Sequence, residues 1–223
     1  MYVVGLTGSI ASGKTTTSRL FSQLGVPVFN ADAAIHELYG PNGDAVPIIK
    51  RLFPDVITNG SVDRDKLSRI VFGKPELLAQ LEAAVHPLLI TKRNQVLKTA
   101  CRHKKLYVVL DIPLLFETGL NNICDMTVVV SVSEIIQKQR ALSRPGMTLE
   151  KLTYILSRQM PDFVKRNLAD TIIFTGCGYL PVVRAVQAID RLARKKSATG
   201  QCWQLGGLRS RPQTGIKQFL LRA

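Results

Sequence analysis

The sequence lacks the features that define secreted, membrane-spanning and disordered proteins. Its four cysteines, Cys101, Cys124, Cys177 and Cys202, form no CxxC pair, and a chain of 223 residues buries a core without disulfides. No apolar run approaches the roughly 18 residues of a membrane span. The N-terminus, MYVVGLTGS, lacks the basic region and long apolar stretch of a signal peptide. We therefore expect a cytoplasmic globular protein with reduced thiols.

Acidic residues are also scarce. The chain has 16 of them against 30 Lys and Arg, so its formal net charge is +14. From Arg191 to the end there are eight basic residues and no acidic one, whereas the first 190 residues carry only +6. We predict that residues 197–223 form a basic tail outside the fold. The mildly basic body suits an anionic ligand, and the tail leaves open a contact with nucleic acid.

Five short apolar runs predict the strands of a parallel sheet. They do not alternate apolar and polar residues, so both faces of the sheet should be covered by helices. Stretches compatible with helices lie between them, which is the order of a doubly wound α/β fold. The runs are residues 2–6, 26–29, 106–112, 126–132 and 171–174.

The connection between the second and third runs is far too long for a loop. Residues 33–104 are mostly helical in pattern, with turn signals at Gly40-Pro41, Asn59-Gly60 and Lys74-Pro75. We therefore predict a helical insertion in this range that recognises a second substrate.

A phosphate-binding loop follows the first run. Residues 8–15 read GSIASGKT, which fits GxxxxGK[ST] between a strand and a helix-forming stretch. Glycines allow backbone N–H groups to surround phosphate oxygens, and the following helix N-terminus favours anions. Lys14 is assigned to the β- and γ-phosphates of ATP, and the Thr15 hydroxyl to Mg²⁺. The predicted ATP-binding residues of this loop are Gly8, Ser9, Ile10, Ala11, Ser12, Gly13, Lys14, Thr15 and Thr16.

The loop alone leaves several classes of nucleotide-binding protein open. DxxG and NKxD elements are absent, which argues against a switch GTPase. The third run ends in a single acid, Asp111, which we assign to Mg²⁺ as a Walker B carboxylate, with a helix or turn cap as the alternative. A small chain with one loop and a helical insertion favours a small-molecule kinase, including one with a nucleoside-type acceptor.

Along almost its whole length, the sequence resembles the dephospho-CoA kinase family. The resemblance covers roughly residues 2–195, and its ordered set of segments is more specific than the loop. The segments are GLTGSIASGKT (5–15), LGVPVFNADAAIHEL (24–38), VDRDKLSRIVF (62–72), LEAAVHPLL (81–89), LDIPLLFETGL (110–120), Gln137 with Arg140 and Arg144, RQM (158–160) and LAD (168–170).

The resemblance implies a phosphotransferase of coenzyme A biosynthesis. Its substrate would be dephospho-CoA, whose ribose 3′-hydroxyl receives the γ-phosphate of ATP to give coenzyme A and ADP. The implied nucleotide core is residues 1–32, 105–138 and 171–196, the CoA-binding insertion is 33–104, and the helical lid is 139–170. Under this interpretation nucleic acid is not an expected partner, and the sequence indicates no particular oligomeric state.

Three further catalytic or nucleotide-binding residues are assigned with this resemblance. Asp32 is placed as the base that accepts the proton of the ribose hydroxyl and also contacts the substrate, with a helix N-cap as the alternative. Arg140 and Arg144 are four apart and share a helix face. We expect Arg140 to stabilise the transferring phosphoryl group and Arg144 to contact ATP, the alternative being a solvated basic face.

The remaining substrate-binding residues are less specific in their chemistry. Each has a structural alternative: an ion pair with a neighbouring aspartate for Arg64, packing or capping for His86, and core packing for the segment after Asp111. The predicted contacts of the acceptor, besides Asp32, are Arg64, His86, Pro113, Leu115 and Glu117.

The sequence departs from the family's usual pattern at three positions near the predicted site. Ser9 stands where Gly is usual, Asn30 where Asp is usual, and Thr175 where Asn is often found. The last change weakens any adenine contact assigned to that loop.

Overall fold

A computed structural model describes residues 1–199, which form two compact units. The first comprises Met1–Val28 and the described chain from Lys104 onward, and the second is Phe29–His103. No helix within residues 1–199 is both long and apolar enough to cross a bilayer.

In chain order the elements are β1 (Tyr2–Thr7), α1 (Lys14–Gln23), β2 (Val28–Asn30), α2 (Ala31–Tyr39), α3 (Val46–Leu52), β3 (Ile57–Thr58), β4 (Ser61–Val62), α4 (Arg64–Val71), α5 (Pro75–Arg102), β5 (Tyr107–Asp111), β6 (Met126–Ser131), α6 (Glu134–Leu142), α7 (Leu149–Ser157), α8 (Asp162–Leu168), β7 (Thr171–Phe174) and α9 (Tyr179–Ala198).

The predicted five-stranded parallel sheet is confirmed. Its strand order is β2-β5-β1-β6-β7. Strands β2 and β5 therefore lie on one side of β1, and β6 and β7 lie on the other. In register, Val4 of β1 lies opposite Val109 of β5 on one side and Met126 of β6 on the other. Every residue of β1, β5 and β6 is buried. This burial explains why the apolar runs do not alternate with polar residues.

Helices cover both faces of the sheet. On one face, Val128 and Val130 of β6 pack with the core residues of α1 and α9, among them Phe21 and Val186. On the other face, Val129 packs with α8 and with residues just before it. Successive side chains of a strand point to opposite faces, so β6 contributes to two layers at once.

The second unit has a core of its own, built from α2 to α5 and a short hairpin. Leu38, Ile49, Phe53 and Val85 are among its buried members. The hairpin of β3 and β4 was not predicted, although the Asn59-Gly60 turn was. Both turn residues have positive φ, 51° and 75°, which suits the tight two-residue turns of hairpins.

The predicted start of the tail at residue 197 is too early. Helix α9 runs to Ala198, and the buried Ser197 hydroxyl donates a hydrogen bond to the carbonyl of Leu106. Buried positions recur at helical spacing along α9 through Ala193 to Ser197, so the packed face of the helix extends this far. The predicted tail from residue 200 onward lies outside the described residues.

One polar cluster joins α9 to β5. The Tyr107 hydroxyl donates to Asp190 Oδ1 at 2.7 Å, and Arg194 Nε donates to the same carboxylate at 2.8 Å. The Arg194 guanidinium lies 5.8 Å from the centre of the Tyr107 ring. Burial raises the pKa of Asp190, but the hydrogen bonds from Arg194 and Tyr107 outweigh it and leave the pKa below its ordinary value.

Replacing Asp190 by Asn should lower the free energy of unfolding by about 1–2 kcal/mol at pH 7, since a hydrogen-bonded charge is lost. A carboxylate whose pKa is depressed in the folded state stabilises it above the unfolded pKa, and this contribution is lost as pH falls through the folded pKa. The difference between the two proteins should therefore shrink in urea titrations below pH 4. Asp55→Asn, at an exposed site, serves as the control. If Asp190→Asn lowered the free energy of unfolding equally at pH 7 and below pH 4, this assignment would be contradicted.

Candidate active site

The loop GSIASGKT lies between β1 and α1 and requires its glycines. A Cβ on Gly8 would lie 2.5 Å from the Val130 carbonyl oxygen, which no side chain tolerates. Gly13 has φ 95° at the start of α1 and makes no side-chain cap, so the first turn of the helix keeps its N–H groups. Ala11 also has positive φ, at 60°. This is the arrangement that presents backbone N–H groups to phosphate.

Side chains from outside the loop hold its backbone. Gln137 Nε2 donates to the Ile10 carbonyl at 2.9 Å, and the Ile10 N–H donates to Gln159 Oε1 at 3.1 Å. The Thr175 hydroxyl donates to the Ser12 carbonyl at 2.6 Å. Within residues 1–199, the N–H groups of Ala11 and Gly13 have no hydrogen-bond partner. These three side chains therefore hold the backbone of the loop in place, while the N–H groups of Ala11 and Gly13 stay available to an anion.

These contacts refine the predicted ATP-binding set. Ile10 uses both of its backbone polar groups on glutamines, so its N–H already has a partner in this structure. The Ser12 N–H donates to the Ser9 carbonyl at 3.1 Å, while the Ser12 hydroxyl oxygen is buried without a partner in the described chain. Thr15 and Thr16 are exposed on the first turn of α1.

Lys14 and Asp111, predicted to bind phosphate and Mg²⁺, lie together as an ion pair. Asp111 ends β5, opposite Leu6 of β1, and is fully buried. Lys14 Nζ lies 2.5 Å from Asp111 Oδ1. Sheet order thus brings a cation and a carboxylate 97 residues apart to the carboxyl edge where α/β sites assemble.

The donor atoms at this edge fit a magnesium ion that is held mainly through a nucleotide. No cluster of three or more His, Cys, Asp or Glu side chains in residues 1–199 could hold a metal. The Thr15 hydroxyl and the Asp111 carboxylate supply two oxygen donors. Mg²⁺ prefers oxygen and is commonly bound by one or two protein ligands together with phosphates and water.

Arg140 contacts the loop indirectly, through Thr175. Its Nη1 donates to the Thr175 hydroxyl oxygen at 3.0 Å and its Nη2 to the Thr175 carbonyl at 3.0 Å. Arg144, one turn further along, is exposed just past the end of α6. The threonine at position 175, where the family often has Asn, therefore has a structural role: it links Arg140 to the backbone of Ser12.

Two residues of the segment after Asp111 make contacts within the fold. Leu115 is fully buried, which favours its alternative role in the core. Glu117 Oε1 forms an ion pair with the fully buried Lys165 at 2.9 Å and accepts the Met160 N–H at 2.7 Å. Pro113 is partly exposed.

The other predicted substrate residues lie in or at the start of the second unit. Asn30 caps α2, since its Oδ1 accepts the Ala33 N–H at 2.8 Å, so the cap alternative for Asp32 is wrong. Asp32 is exposed in the first turn of α2. Arg64 is exposed at the start of α4, where its charge opposes the rise in the pKa of Tyr39 that burial causes. His86 is exposed on α5.

Sequence reasoning gave no functional role to Gln159 and Thr175, which contact the loop, or to the buried Lys165. Gln159 stands within the RQM segment of the family resemblance but had no assigned role. Thr175 was noted only as a departure. Gln159 accepts a hydrogen bond from the loop and Thr175 donates one to it, across 149 and 163 positions of chain, and no local pattern signals such pairs.

The sheet order and the phosphate-binding loop place this protein in the class of α/β P-loop proteins. The family described as dephospho-CoA kinase matches residues 2–177, and the chain belongs to that family. The dephospho-CoA kinase of Brucella melitensis is 46% identical over 189 residues, which are 85% of this chain and 94% of that protein. The enzyme of the same name from Agrobacterium fabrum is 47% identical over 178 residues, with 80% and 91% coverage.

Solved structures agree with this assignment of the fold. A protein of Thermus thermophilus superposes with a TM-score of 0.73 at 33% identity, covering 86% of this chain and 97% of that one. A dephospho-CoA kinase from Campylobacter jejuni gives a TM-score of 0.60 at 22% identity, with the same coverage, and supports the fold alone.

Replacing Thr175 by Val should weaken ATP binding about 5–30-fold, because the buried Ser12 carbonyl loses its donor at a cost of about 1–2 kcal/mol. The loop would then hold its N–H groups less firmly for phosphate. The measurement is the Kd for ATP by calorimetric titration, with Thr171→Val, at the start of β7, as the matched control. An unchanged Kd in the Thr175 variant would show that the brace does not affect the loop.

Proposed function

We propose that this protein transfers the γ-phosphate of ATP to the ribose 3′-hydroxyl of dephospho-CoA, giving coenzyme A and ADP. The observation that carries the proposal is the coincidence of a braced phosphate-binding loop with membership of the dephospho-CoA kinase family. The relatives named dephospho-CoA kinase match over 80% or more of this chain, insertion included. The whole catalytic body, and not merely the nucleotide-binding loop, therefore supports the activity.

In the proposed reaction, the 3′-oxygen forms a bond to the γ-phosphorus while the bond from that phosphorus to the β–γ bridging oxygen breaks. ADP leaves with the electron pair of the broken bond. The N–H groups of the loop and the Lys14 ammonium stabilise negative charge on the phosphate oxygens. Thr15 and Asp111 would hold Mg²⁺, which when bound neutralises charge on the β- and γ-phosphates.

The proton of the attacking hydroxyl needs an acceptor, and we assign Asp32. Asp32 is exposed in the first turn of α2, and Asn30 rather than Asp32 caps the helix. A carboxylate can both orient a hydroxyl group and accept its proton. Arg64, His86 and Pro113 remain proposed contacts of the acceptor, with residues 33–104 as the CoA-binding insertion.

Residues 139–170 are proposed to act as a lid. Arg140 would stabilise the transferring phosphoryl group and Arg144 would contact ATP. In the structure the Arg140 guanidinium is bound to Thr175, next to the loop. To bind phosphate, Arg140 would exchange this contact for one with the nucleotide.

An acceptor panel tests the proposed function. ADP release from ATP with Mg²⁺ should rise with dephospho-CoA and stay at background with adenosine or other nucleosides. A 3′-deoxy analogue of dephospho-CoA should give no product, because it lacks the attacking oxygen. ADP release no greater than the no-acceptor control would refute the proposal, and release with nucleosides alone would favour a nucleoside-type kinase.

Replacing Asp32 by Asn should lower kcat roughly 10²–10⁴-fold, the range for a positioned general base, and leave the Kd for ATP unchanged. Thermal stability should change little, because the α2 cap is Asn30 rather than Asp32. Asp65→Asn, in the first turn of α4, is the matched control and should retain normal turnover. Near-normal kcat in the Asp32 variant would remove this residue from the mechanism.

A further inference from the structure

Lys165 is a fully buried lysine to which the reaction above gives no part. It lies on α8 with no exposed side-chain surface. Its Nζ lies 2.9 Å from Glu117 Oε1 and donates to the Pro113 carbonyl at 3.2 Å. A buried ion pair contributes little net stability, since the cost of removing both charges from water offsets their attraction. The consequence of this pair is therefore better sought in the segments that it joins.

Three segments meet at the Lys165 ammonium. The Pro113 carbonyl also accepts the Thr7 hydroxyl at 2.9 Å, and Thr7 is the last residue of β1, directly before the phosphate-binding loop. Pro113 itself follows Asp111 by two residues. Glu117 also accepts the N–H of Met160, which precedes α8. One ammonium thus connects the exit of β1, the segment after β5 and the start of α8.

Apolar side chains enclose this junction. Phe116 and Met160 are buried and pack with Val129 of β6, and Val164 and Leu168 of α8 pack against them. Hydrogen bonds to a charged group are stronger in such surroundings than in water, and they leave few alternative geometries. The position of the Pro113 carbonyl is accordingly set by two donors, Thr7 and Lys165.

We propose that Lys165 is a positioning residue for phosphoryl transfer. Its ammonium fixes residues 112–117 against the exit of β1, and so holds Asp111 and Pro113 in register with the phosphate-binding loop. Glu117 is the counter-ion of Lys165 rather than a contact of the substrate. The proposal rests on the proposed function, because Asp111 and Pro113 take their roles from it. It adds a connection between α8 and the reacting edge of the sheet.

The single variant Lys165→Met leaves the Glu117 charge buried and unpaired, so it should unfold at lower temperature. The deciding variant is Lys165→Met with Glu117→Gln, which removes both charges and keeps an acceptor for the Met160 N–H. We expect it to melt close to the wild type and to bind ATP within threefold of it. Its kcat should fall about 10–100-fold, since small misplacements of reacting groups have effects of this size. Lys195→Met, on the exposed surface of α9, is the control and should retain normal kcat.

A double variant that folds and keeps kcat within twofold of the wild type would overturn the proposal and reduce Lys165 to a charge partner. Hydrogen exchange gives a second readout that needs no acceptor. The amides of residues 112 and 114–117 should exchange about tenfold faster in the double variant, with those of α9 unchanged. If the wild type fails to phosphorylate dephospho-CoA, the proposed function fails, while exchange still tests the positioning role. Unchanged exchange in the double variant would overturn that role.

Discussion

A loop can bind phosphate through its backbone only if the N–H groups that face the ligand are not needed to hold the loop together. In this protein, different backbone groups of the loop serve these two purposes. Ile10 uses its N–H and its carbonyl on Gln159 and Gln137, and the Ser12 carbonyl is held by Thr175. The close approach of Gly8 to Val130 then sets how near the loop lies to the sheet. The geometry of the candidate site depends on this bracing, because Lys14 and Thr15 stand at the end of the loop, in the first turn of α1.

The braces come from the part of the chain that the family resemblance describes as a lid and its surroundings. Gln137 and Arg140 lie on α6, Gln159 follows α7, and Thr175 follows β7. The predicted lid residues belong to the same compact unit as the loop. Under the proposed function, a movement of these helices would therefore act on the loop itself as well as on Arg140. This gives a physical route by which nucleotide binding and the position of the lid affect each other.

Two ion pairs are buried near the carboxyl end of β5, and both constrain the same short segment. Lys14 pairs with Asp111, and Lys165 pairs with Glu117 six residues later. Removing one partner of either pair leaves a buried charge without compensation, which is strongly destabilising. The geometry of the sheet edge at which ATP and the acceptor are proposed to meet therefore depends on both ion pairs being intact.

The sequence by itself determined the parallel sheet, the phosphate-binding loop, the helical insertion and the family, because each depends on a local pattern or on ordered segments. It did not determine the partners of individual side chains. Leu115 and Glu117 share one segment, yet one is core and the other is the counter-ion of a lysine on α8. Asn30 rather than Asp32 caps α2, a choice of backbone geometry that two neighbouring cap-forming residues leave open. Only the folded structure decided these matters, because it sets the backbone geometry at the start of α2 and brings Glu117 to a lysine on a later helix.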